Sequence, residues 1–276
     1  MKTVVLHPQA KINLHLEVGE KRADGFHEIS SLLQEISISD DMVVSLSNAE
    51  TCINVAGAEI GKDNSLEKAI SAFKKITNLD FALNVSLIKR IPMGSGLGGA
   101  SSDAASLILA MNNLLKANLC YEELLKIALE VGSDVPFFLT GGSAKVKGRG
   151  EKVSPVRLST SYIGLLVYPE IHSSTKEAYK MLDSSKEEKK EEVDLDSASL
   201  FDCRFFNSFE KPLFEKYPVL KEIKNDFLTF ASDFSLMSGS GSSVYGLFRD
   251  WQKARVVQTL FSKKWSNCNF FIPIEK

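Results

Sequence analysis

Apolar and polar residues alternate strictly over residues 10–18. Ala10, Ile12, Leu14, Leu16 and Val18 point to one side and Lys11, Asn13, His15 and Glu17 to the other, the period-2 signature of a half-buried strand. The polar side has two readings here, a solvated face or the wall of a polar cleft. Residues 19–25 read as a charged loop, and residues 36–39, 42–46 and 52–55 as short strands whose close spacing predicts an antiparallel set. Asn64 and Glu67 have capping-box spacing, and Leu66, Ala69, Ile70, Phe73 and Ile76 recur at helical period, so a helix is predicted to end near Thr77. Alternation returns at Phe81, Leu83, Val85 and Leu87. Two more helical patterns follow, one through Ala104, Leu107, Ile108, Met111, Leu114 and Leu115, the other over residues 121–131 with Gly132 as its stop.

Gly141-Gly142 opens a hairpin-like segment through Lys152, and Ser154-Pro155 looks like a linker, predicting two domains, 1–154 and 155–276. In the second, an apolar strand at 163–168 is followed by a helix from Ser174 or Thr175 to Leu182 and a helix carrying Val219, Leu220, Ile223 and Phe227. Strands at 234–237 and 244–248, a helix capped by Asp250 and a strand at 268–273 complete it. The order β-α-α-β-β-α-β is a ferredoxin-like split βαβ with an inserted helix, and the chain as a whole reads as α+β. The mixed charges of residues 186–192 read as a solvated loop or fraying helix, with no site assigned.

Between the strand ending at Leu87 and the helix from Ala104 lies Pro92-Met93-Gly94-Ser95-Gly96-Leu97-Gly98-Gly99-Ala100-Ser101-Ser102-Asp103. Glycine reaches positive φ and carries no Cβ, so consecutive N–H groups can turn toward an anion, and a following helix N-terminus adds its own unpaired donors. Ser101, Ser102 and Asp103 supply cap chemistry for that helix. Gly94, Gly96 and Gly99 also satisfy G-x-G-x-x-G, shared with dinucleotide-binding folds and protein kinases. The acidic ribose-binding residue about 20 positions on is missing, as are G-K-[ST], H-R-D and D-F-G, so those classes are disfavoured. A second small-residue loop, Ser238-Gly239-Ser240-Gly241-Ser242-Ser243, recurs near the end.

Two further stretches carry chemistry. Asp134 stands directly before Val135-Pro136-Phe137-Phe138, where a carboxylate needs a partner to be buried; the other reading is a cap for a short helix starting at Pro136. Phe26-His27-Glu28 leaves the Asp24-Gly25 turn, which suits recognition of a flat polar ligand or, equally, a buried Phe beside an exposed His.

With 276 residues, 44% hydrophobic and 25% charged, the chain can bury one large or two modest cores. A net charge of -2 disfavours extended nucleic-acid or acidic-membrane binding. Cys52, Cys120, Cys203 and Cys268 are scattered without a C-x-x-C and read as free thiols. No signal-peptide core or membrane span is visible, so a cytoplasmic protein, monomer or weak homodimer, is expected.

Residues 92–105 resemble the P-x-x-x-G-L-G-S-S-A-A loop of the GHMP kinases, named for galactokinase, homoserine kinase, mevalonate kinase and phosphomevalonate kinase, and residues 238–243 resemble their C-terminal glycine motif. Ala10-Lys11-Ile12-Asn13-Leu14, Asp24-Gly25-Phe26-His27-Glu28 and Gly132-Ser133-Asp134-Val135-Pro136-Phe137-Phe138 resemble the branch acting on a cytidine diphosphate methylerythritol. Gly99-Ala100 and Ser240 depart from the usual pattern as small-for-small changes.

The resemblance implies a two-domain GHMP kinase fold, with an N-terminal ribosomal-protein-S5-domain-2-like α/β domain and a C-terminal ferredoxin-like domain. It implies transfer of the γ-phosphoryl of ATP, with Mg²⁺, to the 2-hydroxyl of that small-molecule substrate in the non-mevalonate route to isoprenoid precursors. It makes Asp134 the general base beside Lys11, and gives the phosphates to residues 92–102 with Ser102 on Mg²⁺. Asn64 falls to the adenine pocket and Lys89 near the nucleotide. Asn13, Phe26, His27, Tyr179, Gly239, Ser240 and Gly241 fall to the substrate side.

Overall fold

The computed structural model describes every residue except 1, 62, 159–160, 185–192, 194, 196–203 and 276. The charged run 186–192 and Cys203 lie outside the described residues, whereas Cys52, Cys120 and Cys268 are free thiols as expected.

The elements run β1 (Thr3–Leu6), β2 (Gln9–Lys21), β3 (His27–Ser39), β4 (Asp41–Ser47), β5 (Cys52–Ala56), α1 (Ser65–Thr77), β6 (Ala82–Ile88), α2 (Gly99–Leu114), α3 (Tyr121–Val131), α4 (Val135–Thr140), β7 (Ser143–Gly148) and β8 (Lys152–Pro155). There follow β9 (Ile163–Val167), α5 (Thr175–Ser184), α6 (Glu210–Lys216), α7 (Pro218–Thr229), β10 (Phe234–Met237), β11 (Val244–Phe248), α8 (Trp251–Lys264) and β12 (Cys268–Phe271). Among the described residues they form three four-stranded sheets, ordered β1-β4-β6-β5, β2-β3-β7-β8 and β10-β11-β9-β12.

In the first sheet β4 pairs antiparallel with β1 and β6, but β5 runs parallel to β6. The antiparallel set expected from residues 36–39, 42–46 and 52–55 is therefore corrected: 36–39 ends β3 in the second sheet, and β4 and β5 do not pair but flank β6, with α1 as the crossover that the parallel β5–β6 connection needs. At its start Asn64 Oδ1 accepts from the N–H groups of Leu66 and Glu67 at 3.0 and 3.1 Å, the expected cap. Glu67 Oε2 reaches the N–H of Asp63 at 2.7 Å, one residue before the cap. Leu66, Phe73, Leu107, Ile108, Met111 and Phe137 pack against Met42, Val44, Leu83 and Val85 of this sheet as one core.

The third sheet has the antiparallel strand order of the split βαβ expected for the second half, with α5, α6 and α7 between β9 and β10. One face packs on α6, α7 and α8 through Leu213, Phe227, Val257 and Phe261. Its other face meets β2, so that Ala10, Ile12 and Leu14 share a core with Leu166, Leu236, Tyr245 and Leu247.

This explains why the polar side of β2 is not solvated. Ala10, Ile12 and Leu14 face the third sheet, while Lys11 and Asn13, each 4% exposed, form part of the wall of a cleft, the second of the two readings of that side. The charged loop expected at 19–25 is shorter, since β2 continues to Lys21. β3 starts at His27, well before the strand expected at 36–39, because buried Ser31, Gln34 and Glu35 break the alternation. Their polar atoms are satisfied internally: Ser31 Oγ donates to His15 O at 2.6 Å, Gln34 Oε1 accepts from Ser143 Oγ at 2.6 Å, and Glu35 Oε2 accepts from the N–H of Gly142 at 2.8 Å. No described helix is long and apolar enough to cross a membrane.

Candidate active site

A cleft of about 540 Å³ opens where β2, the start of α1, the glycine loop, Asp134, α5 and the second small-residue loop converge. Gly94, Gly96 and Gly98 have φ of 63°, 79° and 70°, which an L side chain resists. The loop's carbonyls are taken from behind: Gly94 O accepts from Ser173 N, Ser95 O from Ser243 N, Gly96 O from Ser238 Oγ and Leu97 O from Lys11 N, all at 2.9 to 3.1 Å. The N–H groups of residues 94–100 donate to no group among the described residues.

α2 begins at Gly99, one turn earlier than Ser101, Ser102 and Asp103 would allow as caps. The cap is Gly98, which has no side chain to offer, so the helix's first donors stay unpaired. Unpaired amides, a helix N-terminus and a roomy cleft together fit the phosphates of a nucleotide.

Lys11 Nζ lies 3.9 Å from Asp134 Oδ2 and donates to Asn13 Oδ1 at 2.6 Å; Asn13 Nδ2 in turn donates to Ser31 Oγ at 2.9 Å. Burial pushes the Lys11 ammonium below its ordinary range, and the charge of Asp134 opposes that fall. Asp134 corrects an expectation, because its side chain is 44% exposed rather than buried, and it makes no cap bond to α4. The pair expected from sequence is thus present, with its acid open to the cleft.

Lys89 is placed differently. Its ammonium pairs with Asp103 Oδ2 at 2.7 Å and with Asp40, whose other oxygen accepts from the N–H groups of Arg90 and Ile91. It lines the cleft beneath Gly99, already neutralised by two carboxylates. Burial lifts Asp103 to about 7 against the pull of Lys89, with Asp40 pushing the same way as burial.

An acid raised on folding contributes stability below its unfolded pKa and loses it as pH rises through the folded one. Between pH 5 and 8, then, thermal melts should show wild type losing stability relative to Asp103→Asn, with the gap widening through about 7. A gap independent of pH would mean that the triad does not titrate there.

Ser102, expected to hold Mg²⁺, is 2% exposed and does not line the cleft, whereas Ser101 does. Helical geometry turns neighbours by about 100°, so only one of the two serines can face the loop's open side. Asn64 lines the cleft, but its Oδ1 caps α1 and its Nδ2 donates to Gly61 O at 3.1 Å. Among the described residues no group of three or more His, Cys, Asp or Glu side chains forms a metal site.

On the substrate side, Gly239 and Ser240 line the cleft and Gly241 does not, because Gly241 faces Met237 and Leu213. Phe26 is 45% exposed with the Arg149 guanidinium 5.0 Å over its ring, outside the cleft. His27 and Tyr179 do come together, stacked with centroids 4.9 Å apart at 21°. Burial, helped by the charge of Asp134, pushes the Tyr179 phenol up to about 12.

Sequence reasoning missed Asp183, whose Oδ1 lies 2.8 Å from His27 Nε2. The available signal was its position four residues after Tyr179, on the same face of α5. It also missed the strap before α5, where Ser173 Oγ donates to Ser240 O at 2.6 Å and Thr175 Oγ1 lies 2.9 Å from Ser240 Oγ, tying the two loops together.

Residues 64–142 match the GHMP kinases N terminal domain and residues 187–267 the GHMP kinases C terminal domain. The chain is 37% identical over 284 aligned positions to a 4-diphosphocytidyl-2-C-methyl-D-erythritol kinase of Treponema pallidum (strain Nichols), covering 97% of this chain and 98% of that one. It is 39% identical over 249 positions to the kinase of the same name from Thermotoga maritima, covering 87% and 90%.

A crystal structure of 4-(cytidine 5'-diphospho)-2C-methyl-D-erythritol kinase superposes with a TM-score of 0.84 at 29% identity, covering 99% of this chain and 100% of that one. A homoserine kinase from Cytophaga hutchinsonii, at 16% identity and a TM-score of 0.76 over 100% of this chain and 95% of that one, shares the fold. From the paired Lys11 and Asp134, the open amides of the glycine loop and these likenesses together, the chain belongs to the GHMP kinases and, among them, to the 4-diphosphocytidyl-2-C-methyl-D-erythritol kinase family.

Proposed function

We propose that the protein transfers the γ-phosphoryl group of ATP to the 2-hydroxyl of 4-(cytidine 5'-diphospho)-2-C-methyl-D-erythritol, as its relatives' name describes. The observation that carries this is the approach of Lys11 Nζ to Asp134 Oδ2 at 3.9 Å, in the same cleft as the unpaired amides of residues 94–100. Phosphoryl transfer asks a protein for alignment and for positive potential around the moving group, and little covalent chemistry.

Asp134, open to the cleft, orients the acceptor hydroxyl and takes its proton as the oxygen bonds to phosphorus and ADP departs. Lys11 steadies both the carboxylate and the oxygen gaining charge, and Asn13 fixes the Lys11 ammonium in place. The amides of residues 94–100 and the start of α2 receive the phosphates. Mg²⁺, when bound, neutralises charge shared by the β- and γ-phosphates, and the Ser101 hydroxyl on the cleft wall is the protein oxygen that would meet it. Tyr179, on the cleft wall within reach of the Asp134 charge, and His27, which stacks on Tyr179 without itself lining the cleft, read the cytosine.

The test is an acceptor panel in a coupled ADP-release assay. Turnover is expected with the cytidyl substrate and at least about 100-fold less with mevalonate or homoserine, since a site built to pair the base's polar edge loses those partners. Preference for mevalonate or homoserine would overturn the assignment of acceptor while leaving the kinase reading intact.

A further inference from the structure

His27 is held twice by α5. Tyr179 lies flat against its ring, and Asp183, one helical turn further on, meets Nε2 at 2.8 Å. The other oxygen of Asp183 lies 3.7 Å from Lys21 Nζ, the residue opposite His27 in the β2–β3 ladder, so the carboxylate is itself steadied. An ionised carboxylate only accepts, so the ring nitrogen facing Asp183 must carry a hydrogen. The neutral imidazole then has a bare lone pair on Nδ1. Nδ1 has no partner among the described residues, yet it is not sealed from solvent, although the His27 side chain is only 8% exposed.

We propose that Asp183 is a positioning residue that fixes the proton of His27 on Nε2, so that Nδ1 presents a lone pair to the exocyclic amine of cytosine and rejects the carbonyl of uracil. This rests on the reading of His27 as the group that faces the base. The chemistry is selective because cytosine offers an N–H donor at that position and uracil an oxygen, and two lone pairs brought together in a partly dry pocket repel. Without Asp183 the ring would rotate between tautomers, and each base would find a matching nitrogen part of the time. The cytidine preference is thereby built from a helix that never touches the base at this residue.

Three variants and two probes decide the matter. In wild type, nitrogen NMR of the His27 ring should show hydrogen on Nε2 and none on Nδ1, and calorimetry should show CDP binding at least about tenfold more tightly than UDP. Asp183→Ala should mix the tautomers and cut the CDP-to-UDP affinity ratio at least about fivefold, CDP binding more weakly and UDP more tightly, with ATP affinity changing less than about twofold. Asp183→Asn, whose carbonyl oxygen still accepts from Nε2–H, should restore most of the preference. Unchanged ATP affinity also confirms that Asp183→Ala folds, as expected for a side chain 39% exposed.

An Asp183→Ala protein that keeps the wild-type CDP-to-UDP ratio overturns the proposal, as does a wild-type ring protonated on both nitrogens. His27→Ala separates the two levels. If it loses CDP while Asp183→Ala does not, the positioning role fails alone; if neither variant loses CDP, the placement of the base at His27 fails with it.

Discussion

Replacing Asp134 by alanine is expected to cut phosphoryl transfer by about 10³-fold while ATP affinity stays within about threefold of wild type. The reason lies in where the residue stands. Its carboxylate is 44% exposed to the cleft, caps no helix and has Lys11 Nζ at 3.9 Å, so it contributes little to the fold that a catalytic loss could be confused with. The variant also leaves Lys11 without the charge that opposes its burial, so the ammonium falls further below its ordinary range and the second member of the pair is weakened as well. Rapid-quench single turnover with saturating ATP measures the chemical step directly. Wild-type-like turnover in Asp134→Ala would remove the carboxylate from the mechanism.

Gly96→Ala is expected to damage both the fold and the nucleotide site. At φ of 79° an alanine is strained, and its Cβ would stand 2.0 Å from the carbonyl oxygen of Ser238 and 3.0 Å from that of Gly241. Both obstacles are main chain, so the glycine loop and the second loop must part. A loss of about 2 to 4 kcal/mol in denaturant unfolding is expected, with ATP affinity falling alongside it. Gly25→Ala is the comparison: its φ of 86° imposes similar strain, but nothing lies within 4 Å of the added methyl. It should cost about 1 kcal/mol. Equal losses in the two variants would mean that contact with Ser238 does not matter.

The helices and most strands were legible because their faces are simple. α1, α2 and α3 each bury one apolar stripe, and the Asn64 cap announced the first of them. β3 was only partly legible, since Ser31, Gln34 and Glu35 are buried in violation of the alternation rule, Gln34 and Glu35 being stabilised by partners more than a hundred residues away and Ser31 by Asn13 and His15 on the neighbouring strand. β2 was legible up to a choice: its alternation left the polar side solvated or on a cleft, and Lys11 and Asn13 take the second while the third sheet covers the apolar side.

At the site, Asp134 and the glycine loop stood out in the local sequence because each breaks a local rule, an acid before an apolar run and glycines before a helix, whereas Lys11 was set beside Asp134 only by the family resemblance. Asp183, Asp40 and the Ser173 strap break none. Their roles exist only through what the fold sets opposite them, His27, Lys89 and Ser240. The serine facing the cleft was misjudged for a related reason, since the start of α2 at Gly99 fixes the rotation of every later residue.

Covered on both sides, β2 acts as a shared wall rather than a boundary. The Tyr245 hydroxyl donates to Asn13 O at 2.7 Å, and Leu16 bridges to Asn207, so the late segments of the chain brace the very strand that carries Lys11. A ribosome that has released only the first half would expose Ala10, Ile12 and Leu14 as a sticky strip and hold the lysine on an unsupported ribbon. Competence for chemistry therefore arrives with the last strands to be synthesised, and gene fragments ending near residue 155 are poor candidates for independent expression.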